Sequence, residues 1–338
     1  MEKVRLGTSD LLVSPLMVGC WSFGGDSASY WGEQDQADVD ALVAEGLDRG
    51  INFFDTAVGY NDGNSEIALG KALGKRRDEA VICDKVQIQP AERLGKDYEA
   101  MVADALKRLN TSYIDLLMIH WPTRNEGLLQ ANLEALLKLR HKGMIREIGV
   151  SNFSLRTLEI ARETGVRVVA DEFAFNLISR WPERELLPYC EANRIGALAY
   201  MPLMQGVLAG KYKTIADIPL MRRRTIHYAK ADNPHSSHGA PGADAEIESF
   251  LRGLRDLSEK TGLSCGTLSV AWVCHKPAVV SAIVGCRTVE QLRENAAAVE
   301  TKLPPQTLKA LDDLSKPVFD KLGDYPDIWK KPEESRVW

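Results

Sequence analysis

The feature that most constrains the fold is a recurring unit in which a short apolar run ends in a reactive side chain and is followed by helical periodicity. Asn52-Phe53-Phe54 leads into Asp55-Thr56-Ala57-Val58-Gly59-Tyr60. Ala80-Val81-Ile82-Cys83-Asp84 leads into Lys85, and Ile114-Asp115-Leu116-Leu117-Met118-Ile119 leads into His120. The steps from Asp55 to Lys85 and from Lys85 to His120 are 30 and 35 positions, each about one strand–helix–strand unit. Parallel strands spaced in this way deliver their last residues to the same end of a sheet. In a closed (β/α) barrel that end is the rim where chemistry is assembled.

An acid, a tyrosine, a lysine and a histidine that converge at one rim form an acid–base set. Tyrosine is a weak acid, with an unperturbed pKa of about 10, and a neighbouring ammonium lowers that value by stabilising phenolate. Lys85 is expected to do this for Tyr60, and Asp55 to hold Lys85 charged and in place. Taken singly, each residue has an ordinary structural explanation: a turn cap, a surface lysine, a satisfied core histidine. Their joint placement at successive strand ends removes that explanation.

The rest of the chain keeps the alternation. Residues 3 to 13, with Gly7-Thr8-Ser9-Asp10, read as a hairpin ahead of the barrel. Leu16 to Gly19 is the first barrel strand. Val39, Leu42, Val43 and Leu47 mark an amphipathic helix that stops at Gly50. Further helices are expected from Asn64 to near Gly74, Asp97 to Leu109, and Leu128 to Leu139 with a stop at Gly143. Another is capped by Ser154 and stops at Gly165, and later ones run from Asp244 to Gly262 and from Cys265 to Cys274. Strands five to eight are read at Met144 to Val150, Val168 to Glu172, Ile195 to Tyr200 and Val280 to Gly285. After strand seven the periodicity fails for about forty residues, a length of irregular chain that in a compact domain is usually functional or disordered. Thr288-Val289-Glu290-Gln291 has the form of a capping box opening a last barrel helix through Ala298. The tail after Pro304, carrying Trp329 and Trp338, is expected to fold over the barrel. At 338 residues, one barrel with long loops is the economical reading of the domain organisation.

With 42 basic and 47 acidic residues well mixed and a net charge of −5, the chain lacks the basic stripe of a nucleic-acid binder. No run reaches the roughly 18 apolar residues of a membrane span, and Met1-Glu2-Lys3-Val4-Arg5 is charged where a signal peptide would be apolar. The six cysteines include no C-x-x-C pair, consistent with reduced thiols in a cytoplasmic protein. His235 and His238 lack the spacing and carboxylate of a metal site, so no metal is assigned. Oligomeric state is not readable from the sequence.

The segments FFDTAVGY, CDKV and IHWP, which carry Asp55, Tyr60, Lys85 and His120, resemble the catalytic tetrad of the aldo-keto reductases. GVSNFS at 149 to 154, AYMPLMQGVLAGKY at 199 to 212 and VGCRTVEQLREN at 284 to 295 strengthen the resemblance, which runs from about Leu6 to about Leu314. It implies a (β/α)8 TIM barrel with an N-terminal hairpin, a long loop after strand seven and a C-terminal helical tail. The implied activity is hydride transfer between NADP(H) and an aldehyde, ketone or sugar, with Tyr60 as general acid, Lys85 and Asp55 supporting it, and His120 positioning the carbonyl oxygen. Asp55 and Trp21 join the cofactor contacts. Ser151 and Asn152 hold the carboxamide, Tyr200 stacks on the nicotinamide, and Gln291, Glu294 and Asn295 line the adenosine end. Backbone around Pro202, Leu203, Gln205, Gly206 and Leu208 follows the pyrophosphate.

Independently, barrels bind phosphate at the loops after strands seven and eight, where this chain has Lys211 and Gly285-Cys286-Arg287. A guanidinium forks onto phosphate oxygens, so Arg287 favours NADP over NAD, and Arg223 of the Arg222–Arg224 run is a candidate for the adenosine. Trp21, Tyr60, His120 and Trp121 are the candidate substrate contacts, and with Trp31 they suit apolar aldehydes or sugar faces.

The chain departs from the family pattern twice. Acids stand at Asp171-Glu172 where glutamine is usual, and Glu172 is expected to stabilise the positively charged oxidised ring. Asp84 precedes Lys85 and is expected to compete for it. Two alternatives stay open: a sugar or inositol dehydrogenase working in the oxidative direction, and a cofactor-sensing subunit, since the chain also resembles potassium-channel β subunits. In those subunits the histidine position is typically asparagine, so His120 favours an enzyme.

Overall fold

The computed structural model describes residues 1–230 and 233–337, with Lys96 as backbone only; Trp338 lies outside the described residues. A two-stranded hairpin, β1 (Val4–Arg5) and β2 (Leu12–Val13), precedes β3 (Leu16–Gly19), α1 (Gln36–Asp48), β4 (Phe53–Asp55), α2 (Asn64–Leu73), β5 (Val81–Val86) and α3 (Lys96–Arg108). Then come β6 (Ile114–Ile119), α4 (Glu126–His141), β7 (Ile145–Ser151), α5 (Leu155–Glu163), β8 (Val168–Ala174), α6 (Leu186–Asn193) and β9 (Gly196–Tyr200). The chain finishes with α7 (Asp244–Thr261), α8 (Cys265–Cys274), β10 (Val279–Gly285), α9 (Val289–Glu300) and α10 (Pro305–Leu322). The sheet closes in the order β10-β3-β4-β5-β6-β7-β8-β9, with every pairing parallel. This is the (β/α)8 barrel that the alternation implies.

Because side chains alternate faces along a strand, each strand sends every second residue inward. Met17, Phe53, Val81, Cys83, Leu116, Met118, Ala170, Leu198 and Ile283 form the inner core, and Leu6, Leu11 and Val13 of the hairpin segment pack against it, plugging the amino-terminal mouth. Continuing the same parity to the carboxyl ends places Asp55, Lys85, His120, Ser151, Glu172 and Tyr200 at the rim. The register supports the layering, with Asp55 opposite Cys83 and Lys85 opposite Met118.

The opposite parity disposes of Asp115 and Asp84. Asp115, at the start of β6, is fully buried and accepts from Arg77 Nη2 at 2.7 Å, Arg146 Nη1 at 2.8 Å and the Ile82 N–H at 3.0 Å. It ties the bottom of the barrel together. Asp84 faces outward: its Oδ1 accepts the Lys85 backbone N–H at 2.8 Å, and its Oδ2 is buried without a hydrogen-bond partner. Burial, followed by the nearby Glu66, pushes the Asp84 carboxyl well above the usual range. The expected competition for Lys85 does not occur, because strand alternation puts the two side chains on opposite faces.

The element ends differ from the sequence reading by a residue or two, and β8 extends to Ala174. Periodicity does not reveal α6, whose third residue is Pro188. Ser154 caps α5 with a reciprocal capping box. At α9 only half of the predicted box forms: Thr288 accepts from the Gln291 N–H, but the Gln291 side chain turns to the Arg287 N–H at 2.8 Å. Among the described residues, the segment between β9 and α7 holds only short 3-10 turns, at Met204–Ala209, Ile215–Asp217 and Leu220–Arg222. After α10 the tail crosses the rim, with Arg124 donating to the Pro332 carbonyl at 2.9 Å and Ile226 N–H to Ile328 O at 2.9 Å.

Gly70 sets the closest approach of α2 to the end of α3. A Cβ at this position would lie 2.5 Å from the Leu109 carbonyl oxygen. The helix-propensity gain of alanine, about 0.5–1 kcal/mol, is smaller than the cost of displacing backbone in a packed layer, about 1–3 kcal/mol. Gly70→Ala is expected to lower the urea midpoint with an unchanged slope; an equal or higher midpoint would contradict the packing described.

Candidate active site

Lys85 is the centre of the rim. Its Nζ bonds Asp55 Oδ1 and lies 3.3 Å from Glu172 Oε2, and the three side chains are 0%, 6% and 4% exposed. Asp55, Cys83 and Glu172 bring ligand-type atoms within 4.8 Å of one another. The Lys85 ammonium already bridges the two carboxylates, so a metal ion there would have to displace it. Burial alone would strip the proton from Lys85, but Asp55 and Glu172 outweigh burial and hold the ammonium well above the usual lysine range. Burial first, and then Asp55 beside it, pushes Glu172 up to about 8. Asp55 is likewise raised by burial and pulled back by Lys85.

Tyr60 follows β4 in a tight turn and stands with its ring centroid 5.2 Å from Lys85 Nζ. Burial pushes its phenol up, Lys85 pulls it down, and Asp55 and Glu172 push it up again; the net result is well above the usual tyrosine value. Lys85 lowers the phenol's value as expected, but burial and the two carboxyls outweigh it. Burial of the phenol is the largest cause, and the ammonium that offsets it also faces two carboxyls, Asp55 and Glu172. Tyr60 therefore rests as a protonated phenol, the form from which it can donate.

His120 sits edge-on to Tyr60, with centroids 5.8 Å apart. Gln87 Nε2 lies 3.2 Å from His120 Nδ1; the amide NH2 donates, so Nδ1 accepts and Nε2–H is left as a donor. Burial, then Lys85, then Arg336 lower the His120 pKa to about 3. A depressed pKa means that the neutral ring's contribution to stability is present above the unfolded value of 6.5 and is lost as pH falls below it. Nitrogen-15 NMR is expected to show no titration of His120 from about pH 5 upward; a midpoint near the unfolded value would contradict this environment.

The mouth is aromatic. Trp21 stacks on Tyr30 at 5.0 Å and on Tyr60 at 5.7 Å, and Trp31 stands edge-on to both Trp21 and Tyr30. The Tyr30 hydroxyl donates to Gln205 Oε1 or the Met221 carbonyl, both at 2.6 Å, strapping the loop after β3 to the loop after β9. Trp121 is covered by the Arg336 guanidinium, 3.4 Å from its ring centroid, and Asp327 holds Arg336 at 3.3 Å. The sequence reading left out Tyr30, Gln87 and Arg336. Gln87 was legible as two residues beyond Lys85 on the same face and Tyr30 as the neighbour of Trp31; nothing local marks Arg336.

The other predicted contacts gather along one side of the rim. Asn152, with φ 61°, donates from Nδ2 to the His120 carbonyl and to Ser151 Oγ, both at 3.0 Å, and its Oδ1 accepts from the Tyr200 hydroxyl at 2.7 Å. Ser151 Oγ donates to the Glu172 carbonyl at 3.1 Å. Further out, Met201, Met204, Gln205 and Gly206 all have positive φ, and Lys211 Nζ would lie 3.3 Å from a Cβ on Gly206. Pro202 and Leu208 are buried beneath that loop and Leu203 is partly buried.

Arg287 donates to the Trp31 carbonyl at 2.6 Å and to the Glu33 carbonyl, so the loop after β10 is tied to the same aromatic loop. Gly285, Gln291 and Glu294 are exposed there and Asn295 is buried. Arg222 stacks over Trp31 at 4.3 Å and Arg224 over Tyr30 at 4.8 Å, and Arg223 and Arg224 each keep a buried Nε without a hydrogen-bond partner. In the His235–His238 pair, His238 Nδ1 accepts the Ala240 N–H at 3.2 Å.

The Aldo/keto reductase family model matches residues 15–316. The chain belongs to that family. Among curated relatives it is 29% identical over 322 residues to an Escherichia coli NADH-specific methylglyoxal reductase, covering 90% of this chain and 95% of the relative. It is 31% identical over 328 residues to a Schizosaccharomyces pombe putative voltage-gated potassium channel subunit beta, covering 91% and 92%. A crystal structure of a Klebsiella pneumoniae aldo-keto reductase in complex with NADPH superposes with a TM-score of 0.72 at 25% identity, over 96% of this chain and 98% of that one. The family and the barrel that the motifs implied are thus both found.

Proposed function

We propose that this aldo/keto reductase transfers a hydride between NADP(H) and the carbonyl carbon of an aldehyde, ketone or sugar, with Tyr60 as the proton donor. The observation that carries the reading is the buried Asp55–Lys85 pair beside Tyr60, at a rim whose mouth is aromatic. The bound nicotinamide supplies the hydride. Ser151 and Asn152 offer hydroxyl and amide groups to the carboxamide, and Tyr200 offers a ring face fixed by its bond to Asn152. Lys211, Arg223 and Arg287 supply cations on the two loops where barrels bind phosphate. The orphaned Arg223 Nε fits an anionic ligand, and Arg287 favours a 2′-phosphate. The backbone at Pro202, Leu203, Gln205, Gly206 and Leu208 would hold the pyrophosphate, and Gln291, Glu294 and Asn295 would line the adenosine end.

Chemically, Tyr60 gives its proton to the substrate oxygen, His120 donates from Nε2–H to the same oxygen, and Lys85 stabilises the phenolate left behind. Trp21 and Trp121 wall the substrate, with Arg336 above Trp121. Among the described residues no helix is long and apolar enough to cross a membrane.

The test is consumption of NADPH and of NADH with a panel of aldehydes and ketones, together with reduction of NADP+ by sugars and inositols. Turnover with NADPH exceeding that with NADH supports the full reading. Preference for NADH, as named for the E. coli relative, would reverse the cofactor assignment. Tight cofactor binding without turnover in either direction would favour the sensing role suggested by the channel-subunit relative.

A further inference from the structure

The charge count at the rim leaves one proton over. Among the described residues Lys85 is the one cation that contacts Asp55 and Glu172, two carboxyls that are almost fully buried. The other titratable groups that face Glu172 are neutral. Cys83 on β5 is pushed up by burial, as are Tyr60 and, on β9, Tyr200; Asp171 lies on the opposite face of β8 and is raised by its own burial. Ionising both carboxyls in a dry site would leave an uncompensated negative charge, a costly arrangement. The cluster stays neutral if the Asp55–Glu172 pair keeps one proton.

We propose that the proton shared by Glu172 and Asp55 is an internal reserve that passes through Lys85 to reload Tyr60, and that it leaves when the oxidised cofactor occupies the site. The inference rests on the function proposed above. In the reductive direction two electrons reach the carbonyl carbon with the hydride, and the O–H bond of Tyr60 breaks as the substrate oxygen gains that proton. Lys85 then gives an N–H proton to the phenolate, and the carboxyl pair gives its proton to Lys85.

At the end Tyr60 is a phenol and Lys85 an ammonium, and both carboxylates are charged. Those two negative charges balance Lys85 and the positive ring, so the centre is neutral before and after. With glutamine at 172 the same count leaves a phenolate that must wait for a solvent proton. Glu172 is thus a positioning and proton-storing residue that acts through Lys85, a role the expected contact with the oxidised ring does not by itself include.

The test counts protons on cofactor binding without turnover, by isothermal titration calorimetry of the whole protein in buffers of different ionisation enthalpy. NADP+ is expected to release about one proton per site near neutral pH and NADPH none; both carry the 2′-phosphate, so its ionisation cancels. The release should vanish above the pH at which Glu172 is already ionised, about 8. Below it, NADP+ affinity should rise about tenfold per pH unit while NADPH affinity stays level. Glu172→Gln should abolish the difference between the two cofactors and leave NADPH binding in place. Equal proton counts for NADP+ and NADPH in the wild type would overturn the inference whether or not the variant folds, as would release that persists in Glu172→Gln. Failure of both cofactors to bind would instead overturn the proposed function.

Discussion

Tyr60→Phe is expected to lose about 100- to 10,000-fold in kcat, the range associated with removing a positioned general acid, while binding NADPH as the wild type does. The substitution keeps what the ring does structurally. A phenyl group still stacks on Trp21 at 5.7 Å and lies 5.2 Å from Lys85 Nζ, and only the hydroxyl is gone. Fluorescence titration with NADPH and steady-state kinetics separate the two effects. Retained turnover would show that the proton comes from elsewhere, and lost NADPH binding would show that Tyr60 shapes the cofactor site.

Lys85→Met is expected to be the most damaging substitution at the rim. It removes the cation between two buried carboxyls whose oxygens lie within 4.8 Å, and breaking a buried ion pair in this way costs about 3–5 kcal/mol. Part of that cost is escaped by protonation, since both carboxyls are already raised by burial in the wild type. The sign of the pH dependence follows. An acid whose folded pKa is raised adds stability below its unfolded pKa, near 4, and loses it as pH rises towards the folded value, by about 1.4 kcal/mol per unit. The variant should therefore unfold at progressively lower denaturant concentration than the wild type between about pH 5 and 8. A deficit independent of pH would mean that the carboxyls are not what Lys85 neutralises.

The barrel was legible because its signal is repetitive: a two-residue period that switches to helical spacing, again and again. The site was legible where chemistry sits at strand ends, as with Asp55, Lys85 and His120, because parity and spacing together fix face and height. The same parity separates Asp115, which serves the bottom of the barrel, from Asp55 at the top. Two things were hidden. Sequence order does not show how deeply a loop tyrosine is buried or how many carboxyls share one ammonium, so the elevation of the Tyr60 phenol, caused first by burial and then by Asp55 and Glu172, appears only in the fold. Nor does local sequence reveal contacts made across the rim by irregular segments, such as Tyr30 to Gln205 or Arg336 on Trp121. Those contacts depend on where long loops land.

The most direct test of hydride transfer at this rim is to supply NADPH carrying deuterium at the transferable position of nicotinamide C4, with a reactive aldehyde or ketone in ordinary water. The account predicts an alcohol with one deuterium on the former carbonyl carbon and ordinary hydrogen on its oxygen. Product without the label would contradict direct transfer, and cofactor binding with no product from any carbonyl offered would contradict the reductive assignment.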